Sequence, residues 1–297
     1  MLIAGICLLL LTGLCWVGIA IVVNDAAEHN RDLDRIQFCT SGSLAVIALL
    51  ALAFRLPSAE HLRNLILISI PVFFAGIANF AMLSLMKQGM RTGSPGSVWG
   101  IVQSALICPF LMGILFFGVI PTMTRIVGIL LIVAGIVLFS RSKPRRQDCG
   151  KFWLLPTCGS FLFSGIAQCF ANLPSYWSSF TMSPILRALL VQSGTVSAFV
   201  AVFLFRGKKK SQSDFRSIIK PVIFLTAVQA LSLFFLFYRG LDLAARAGAG
   251  SIGYPIAQGS CIVFFIIYEM LRNRKKCAAS VWLALILQCS GLLAISL

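Results

Sequence analysis

Acidic residues are scarce in this chain: 9 Asp and Glu stand against 25 Lys and Arg in 297 residues. Charged residues of both signs make up only 11%, against about 25% in an ordinary soluble domain. That is too little polar surface to coat a water-soluble globule of this length, so lipid must supply much of the solvent. Histidine is nearly absent, and both copies, His29 and His61, fall outside the apolar runs. No Cys-x-x-Cys pair and no Cys/His cluster occurs, so nothing supports a metal site or a disulfide framework. No glycine-rich nucleotide loop and no nucleophile–base constellation is present, so we expect no cofactor, no ATP hydrolysis and no enzyme. The basic excess would suggest nucleic acid in a soluble protein. Here no run interleaves basic with aromatic residues, and nucleic acid is not an expected partner.

Apolar residues are plentiful, at 59%, and the mean hydropathy is +0.93. A helix needs about 20 apolar residues to cross a hydrocarbon core of about 30 Å. Ten runs qualify: 2–23, 36–54, 64–86, 97–118, 123–140, 152–172, 183–205, 221–241, 249–271 and 279–297. The first lacks a basic leader and is too long for a signal-peptide core, so it reads as a retained span. The longest polar stretches, Asn24–Arg35, Arg141–Lys151 and Arg206–Lys220, read as interfacial connectors. The expected fold class is an all-α integral membrane protein of ten transmembrane helices.

The basic residues are divided unevenly. Only Arg55, Arg63, Arg125, Arg187, Arg239 and Arg246 fall near even-numbered loops or the termini; the rest lie in odd-numbered loops. The positive-inside rule then places the odd loops in the cytoplasm, with both termini outward, in a plasma (inner) membrane. Cys149 and Cys277 sit in those basic loops, where free thiols fit a reducing compartment.

An internal repeat runs through the chain. At a common spacing Arg91, Gly93, Trp99, Ile101 and Gln103 meet Arg246, Gly248, Tyr254, Ile256 and Gln258. Gly135 meets Gly291 one insertion later, and Gly18-Ile19-Ala20 meets Gly165-Ile166-Ala167. The halves are 1–140 and 152–297, joined by the basic loop 141–151. Five spans per half is an odd number, so the two repeats are expected to be inverted, as in many carriers.

Together with the five-plus-five layout, Cys15-Trp16-Val17-Gly18, Pro109 in the fourth run, and Gly128 and Gly135 in the fifth carry a resemblance. The chain resembles the drug/metabolite transporter superfamily, the EamA-like ten-helix transporters. That resemblance implies a carrier of small solutes. The family often has Gly-Glu after its fourth helix, where this chain has Gly118-Val119, and Glu269 lies about a turn early for the second-half counterpart. The family's usual topology puts both termini inside, opposite to the charge count.

Polar groups inside a membrane ask for partners. Trp99 with Gln103, Tyr254 with Gln258, and Gln168 with Asn172 are pairs four apart, each on one helix face. Trp16, Asn79, Gln192 and Gln229 are further mid-span residues. Two readings stand beside each other: a central cavity whose amides bind a solute against aromatic walls, and ordinary interhelical hydrogen bonding. Gly96-x-x-x-Gly100 and Ala249-x-x-x-Gly253 suit close helix packing, while Pro109 and Pro255 can kink their spans. No Asp or Glu lies mid-run, so strong proton coupling is not expected. Glu269 is expected to pair with Arg272, Asp242 with Arg239 or Arg246, and Arg187 to snorkel outward.

The expected function is a secondary transporter or facilitator. It would move a small polar metabolite, neutral or zwitterionic, by alternating access, with solute and membrane lipid as partners. The alternative is a non-transporting membrane receptor or scaffold, whose mid-span polar groups would all pair with one another.

Overall fold

The computed structural model describes residues 2–53, 62–117, 122–140, 152–176, 182–206, 215–246, 253–273 and 279–296, all but a few linking residues of them helical. The elements are α1 (Leu2–Glu28), α2 (Leu33–Ala53), α3 (Leu62–Thr92), α4 (Pro95–Gln103), α5 (Ile107–Phe117), α6 (Met123–Ser140), α7 (Leu154–Tyr176), α8 (Pro184–Arg206), α9 (Phe215–Ala230), α10 (Tyr238–Arg246), α11 (Gly253–Asn273) and α12 (Ala279–Ser296). Among the described residues seven helical stretches are long and apolar enough to span a membrane; α6 and α12 carry shorter apolar stretches. The described residues of the expected runs are helical apart from Phe152, Trp153 and Ser183.

Two spans are interrupted. A 3₁₀ turn, Ser104–Leu106, separates α4 from α5. Pro109 has no N–H to give the Ala105 carbonyl one turn back, and its ring crowds that carbonyl. Ser104 Oγ donates to Gly100 O at 2.7 Å. Gln288 of α12 donates to both Ser104 Oγ and Gly100 O, so the break is held from the other half of the chain. A π turn, Leu231–Phe237, separates α9 from α10. Its wider ring re-aims Phe237, which meets the Trp16 ring at 5.0 Å.

The polar stretch Asn24–Arg35, expected as an interfacial connector, is largely helical. Helix α1 continues to Glu28 and α2 begins at Leu33. Asn30 takes φ 52°, and Arg31 N–H donates back to Ala26 O, which closes α1 with a left-handed cap. Asp32 Oδ1 then accepts from Arg35 N–H at 3.2 Å, the side-chain cap of a new helix. Capping satisfies the helix ends within four residues, so no long loop is needed.

The strongest helix pairings are α3 with α7, α6 with α12, α1 with α11, and α8 with both α3 and α2. Backbone approach sets two of them. A Cβ on Gly76 would lie 1.9 Å from Val191 O, and one on Gly194 would lie 2.0 Å from Phe73 O. Helices α3 and α8 therefore meet backbone to backbone, and Thr195 Oγ1 donates to Gly76 O at 3.0 Å. A Cβ on Gly291 would likewise meet Gly128 O at 2.6 Å, and one on Gly135 would meet Gln288 Cγ at 2.6 Å. Van der Waals contact between backbones holds helices where lipid removes the hydrophobic drive between them.

Two charge expectations change. Arg272 donates to Glu28 of α1 at 2.7 Å, and Glu269 accepts from Asn24 at 3.5 Å. These side chains therefore bridge helices as well as lying near one another on α11. Arg187 does not reach outward: it is 8% exposed, with its guanidinium 5.2 Å from the Tyr238 ring centroid. An aromatic face attracts a desolvated cation that would otherwise seek the interface. The side chains of Asp242 and Arg246, and residues 54–61, 118–121 and 141–151, lie outside the described residues.

Candidate functional site

Helix α2 carries Gln37, Thr40 and Ser41 at i, i+3 and i+4. That spacing puts one amide and two hydroxyls on a single face. The face looks onto an enclosed space of about 20 Å³ lined also by Ile19 and Val23 of α1, Asn79 and Leu83 of α3, and Leu225 and Gln229 of α9. The volume holds about one water. Gln229 reaches the space from the last turn before the π segment.

This wall is not self-satisfied. Gln37 Oε1 and Thr40 Oγ1 are buried with no hydrogen-bond partner among the described residues. A buried polar atom left unpaired costs roughly 1–3 kcal/mol, and native proteins keep few of them without a use. Gln37 Nε2 donates to Ser84 Oγ at 3.4 Å, and Ser84 Oγ donates to Asp34 Oδ1 at 2.7 Å. The polar face thus continues to a carboxylate at the α1–α2 end of the bundle.

The other expected site residues are spread more widely. Asn79 lines the space, but Trp99 does not. Trp99 is 2% exposed, and its ring packs 5.5 Å from Phe265 of α11, within a core shared with Phe139 and Trp153. Gln103 is half-buried at the end of α4. Gln258 is buried one turn into α11, and its Oε1 has no partner among the described residues. The Tyr254 side chain lies outside the described residues. Helices α4 and α11 do touch, so the two repeat-related pairs sit on neighbouring helices. Gln168 donates to Ser164 on its own helix at 3.0 Å. Asn172 and Gln192 are buried on α7 and α8.

Sequence reading missed Gln37, Thr40 and Ser41 because they follow closely on Asp32, Asp34 and Arg35, where a span looks like its own polar edge. Their i, i+3, i+4 spacing was the available signal. It also missed Gln288, which lies alone in an apolar run and is explained only by the break in the α4–α5 span.

Three comparisons with known proteins bear on this architecture. A solved structure, described only as "Crystal structure of protein", superposes with a TM-score of 0.59 at 14% identity, covering 97% of this chain and 96% of that chain. The fold is therefore one already seen in a protein of similar length. No curated protein matches the chain. Residues 3–141 match the model of the EamA-like transporter family, a family of membrane transporters. The long apolar helices make the chain an integral, multi-pass membrane protein. Residues 3–141 are thus similar to EamA-like transporters, the resemblance that Trp16, Gly18, Pro109, Gly128 and Gly135 led us to expect.

Proposed function

We propose that the protein is a secondary transporter or facilitator for a small, polar, neutral or zwitterionic metabolite, working by alternating access between two inverted five-helix repeats. The carrying observation is the enclosed polar space between α1, α2 and α3 of the first half and α9 of the second. Its unpaired amide and hydroxyl oxygens are hydrogen-bonding capacity that a solute can use. Among the described residues no charged side chain lines it, which favours a solute without net charge.

The repeat reading has support in the pairing of helices. Exchange α1 with α7, α2 with α8, α3 with α9–α10, α4–α5 with α11, and α6 with α12. The contact of α3 with α7 becomes that of α10 with α1, and α3 with α8 becomes α9 with α2. The contact of α1 with α11 becomes α7 with α4 and α5, while α6 with α12 and α2 with α8 map onto themselves. Rocking of such halves would open the space to either side in turn. In this reading Trp16, Gln103, Gln168, Asn172, Gln192, Tyr254 and Gln258 join the pathway as the halves separate.

The test is uptake by proteoliposomes of labelled neutral amino acids, sugars and other uncharged polar metabolites. Saturable uptake of at least one class is expected, and no uptake of any class removes the reading. Flux should persist when a pH gradient is collapsed, because among the described residues no carboxylate or histidine lines the space. Flux that stops on collapse would instead make Asp34, which reaches the space through Ser84 and Gln37, the coupling residue.

A further inference from the structure

Helix α2 packs chiefly against α8, and α3 against α7 and α8, while α2 and α3 meet each other only slightly. At the α1–α2 end they are joined by side chains. Ser84 of α3 donates to Asp34 of α2 at 2.7 Å. Lys87, one turn beyond Ser84, donates to Arg31 O in the α1–α2 turn. Asp25 steadies that turn through Arg31 at 3.0 Å and His29 at 3.0 Å. Below these ties, Gln37 reaches Ser84 at 3.4 Å, and both Gln37 and Leu83 line the enclosed space.

The links of this chain are unequal. A hydroxyl on a carboxylate at 2.7 Å is a charge-assisted bond, while an amide at 3.4 Å is a long one. The weak link is therefore the one facing the space, and it belongs to the side chain whose Oε1 has no partner. A solute that accepts from Gln37 Nε2 and donates to its Oε1 would take the amide from Ser84. It would break only a long bond in doing so.

We propose that Gln37–Ser84–Asp34, with Lys87 on Arg31 O, is a solute-sensitive latch that shuts the α1–α2 end of the pathway. Gln37 reports occupancy, Ser84 relays it, and Asp34 and Lys87 hold the turn to α3. This inference rests on the transport reading for its purpose. Its test reads accessibility, so it fails separately from a flux assay.

Ser41→Cys places a thiol in the space, and a membrane-impermeant thiol reagent is applied to each face of membrane vesicles. Labelling specific to Ser41→Cys is the increment over the same protein with Ser41. Ser84→Ala and Asp34→Asn should each raise that increment about tenfold from the face bearing the α1–α2 turn, which is about 1.4 kcal/mol of latch. Ser84→Thr, which keeps the hydroxyl, should leave it low. Unchanged labelling in Ser84→Ala and Asp34→Asn overturns the latch. So does an equal rise from both faces, because that reports general loosening.

Discussion

Replacing Gly76 by alanine is expected to destabilise the protein strongly. The added Cβ would stand 1.9 Å from Val191 O and 2.9 Å from Thr195 N. These are backbone atoms of α8, with no flexible tip to swing aside. The two helices must part, which also strains the bond from Thr195 Oγ1 to Gly76 O. Overpacking typically costs about 1–3 kcal/mol, and a contact that is backbone on both sides belongs at the top of that range. Because α8 also packs on α2, parting α3 from α8 disturbs the polar space as well. Thermal unfolding in detergent should show a large drop in midpoint, or size-exclusion chromatography should show no monodisperse peak. Gly42→Ala is the matched control. A Cβ there meets nothing within 4 Å, so the change should raise stability by about 1 kcal/mol through helix propensity. Equal midpoints for Gly76→Ala and the parent would refute the close crossing.

Removing the polar wall should have the opposite signature, with function lost and stability kept. Gln37→Leu and Asn79→Leu replace amides by apolar groups of similar size. In Gln37→Leu the change deletes a buried oxygen that no described residue satisfies. Such a replacement is close to neutral or stabilising for the fold. Solute uptake should nevertheless fall at least tenfold, about 1.4 kcal/mol of lost binding or transition-state stabilisation. Unfolding midpoints measured beside uptake separate the two effects. Uptake at the parent rate in both variants would move the site away from α2 and α3. Trp99→Leu should behave differently from both, because Trp99 is packed on Phe265 in the core. Its expected loss is in stability first.

The expected helices needed little tertiary information. Long runs such as Leu2–Val23 can only be helices in lipid, because each backbone group must be satisfied within its own segment. The helix interruptions were only half legible. Pro109 signals a break in the α4–α5 span, but its place at Ser104–Leu106 depends on Ser104 and on Gln288 from α12. The π turn at Leu231–Phe237 has no proline or glycine to mark it, and what it re-aims is a ring that meets Trp16.

By itself the sequence determined the multi-pass membrane class and the long apolar helices. Those follow from segment length, hydropathy and charge, which are properties of neighbours along the chain. Only the tertiary structure decided that Gln37, Thr40, Ser41, Asn79 and Gln229 share one space while Trp99 does not. It also decided that Arg187 turns inward to Tyr238 and Arg272 across to Glu28. Those outcomes depend on which faces of distant helices meet. Close backbone crossings such as Gly76 on Gly194 set that rotation, and nothing in the apolar composition of either helix alone does.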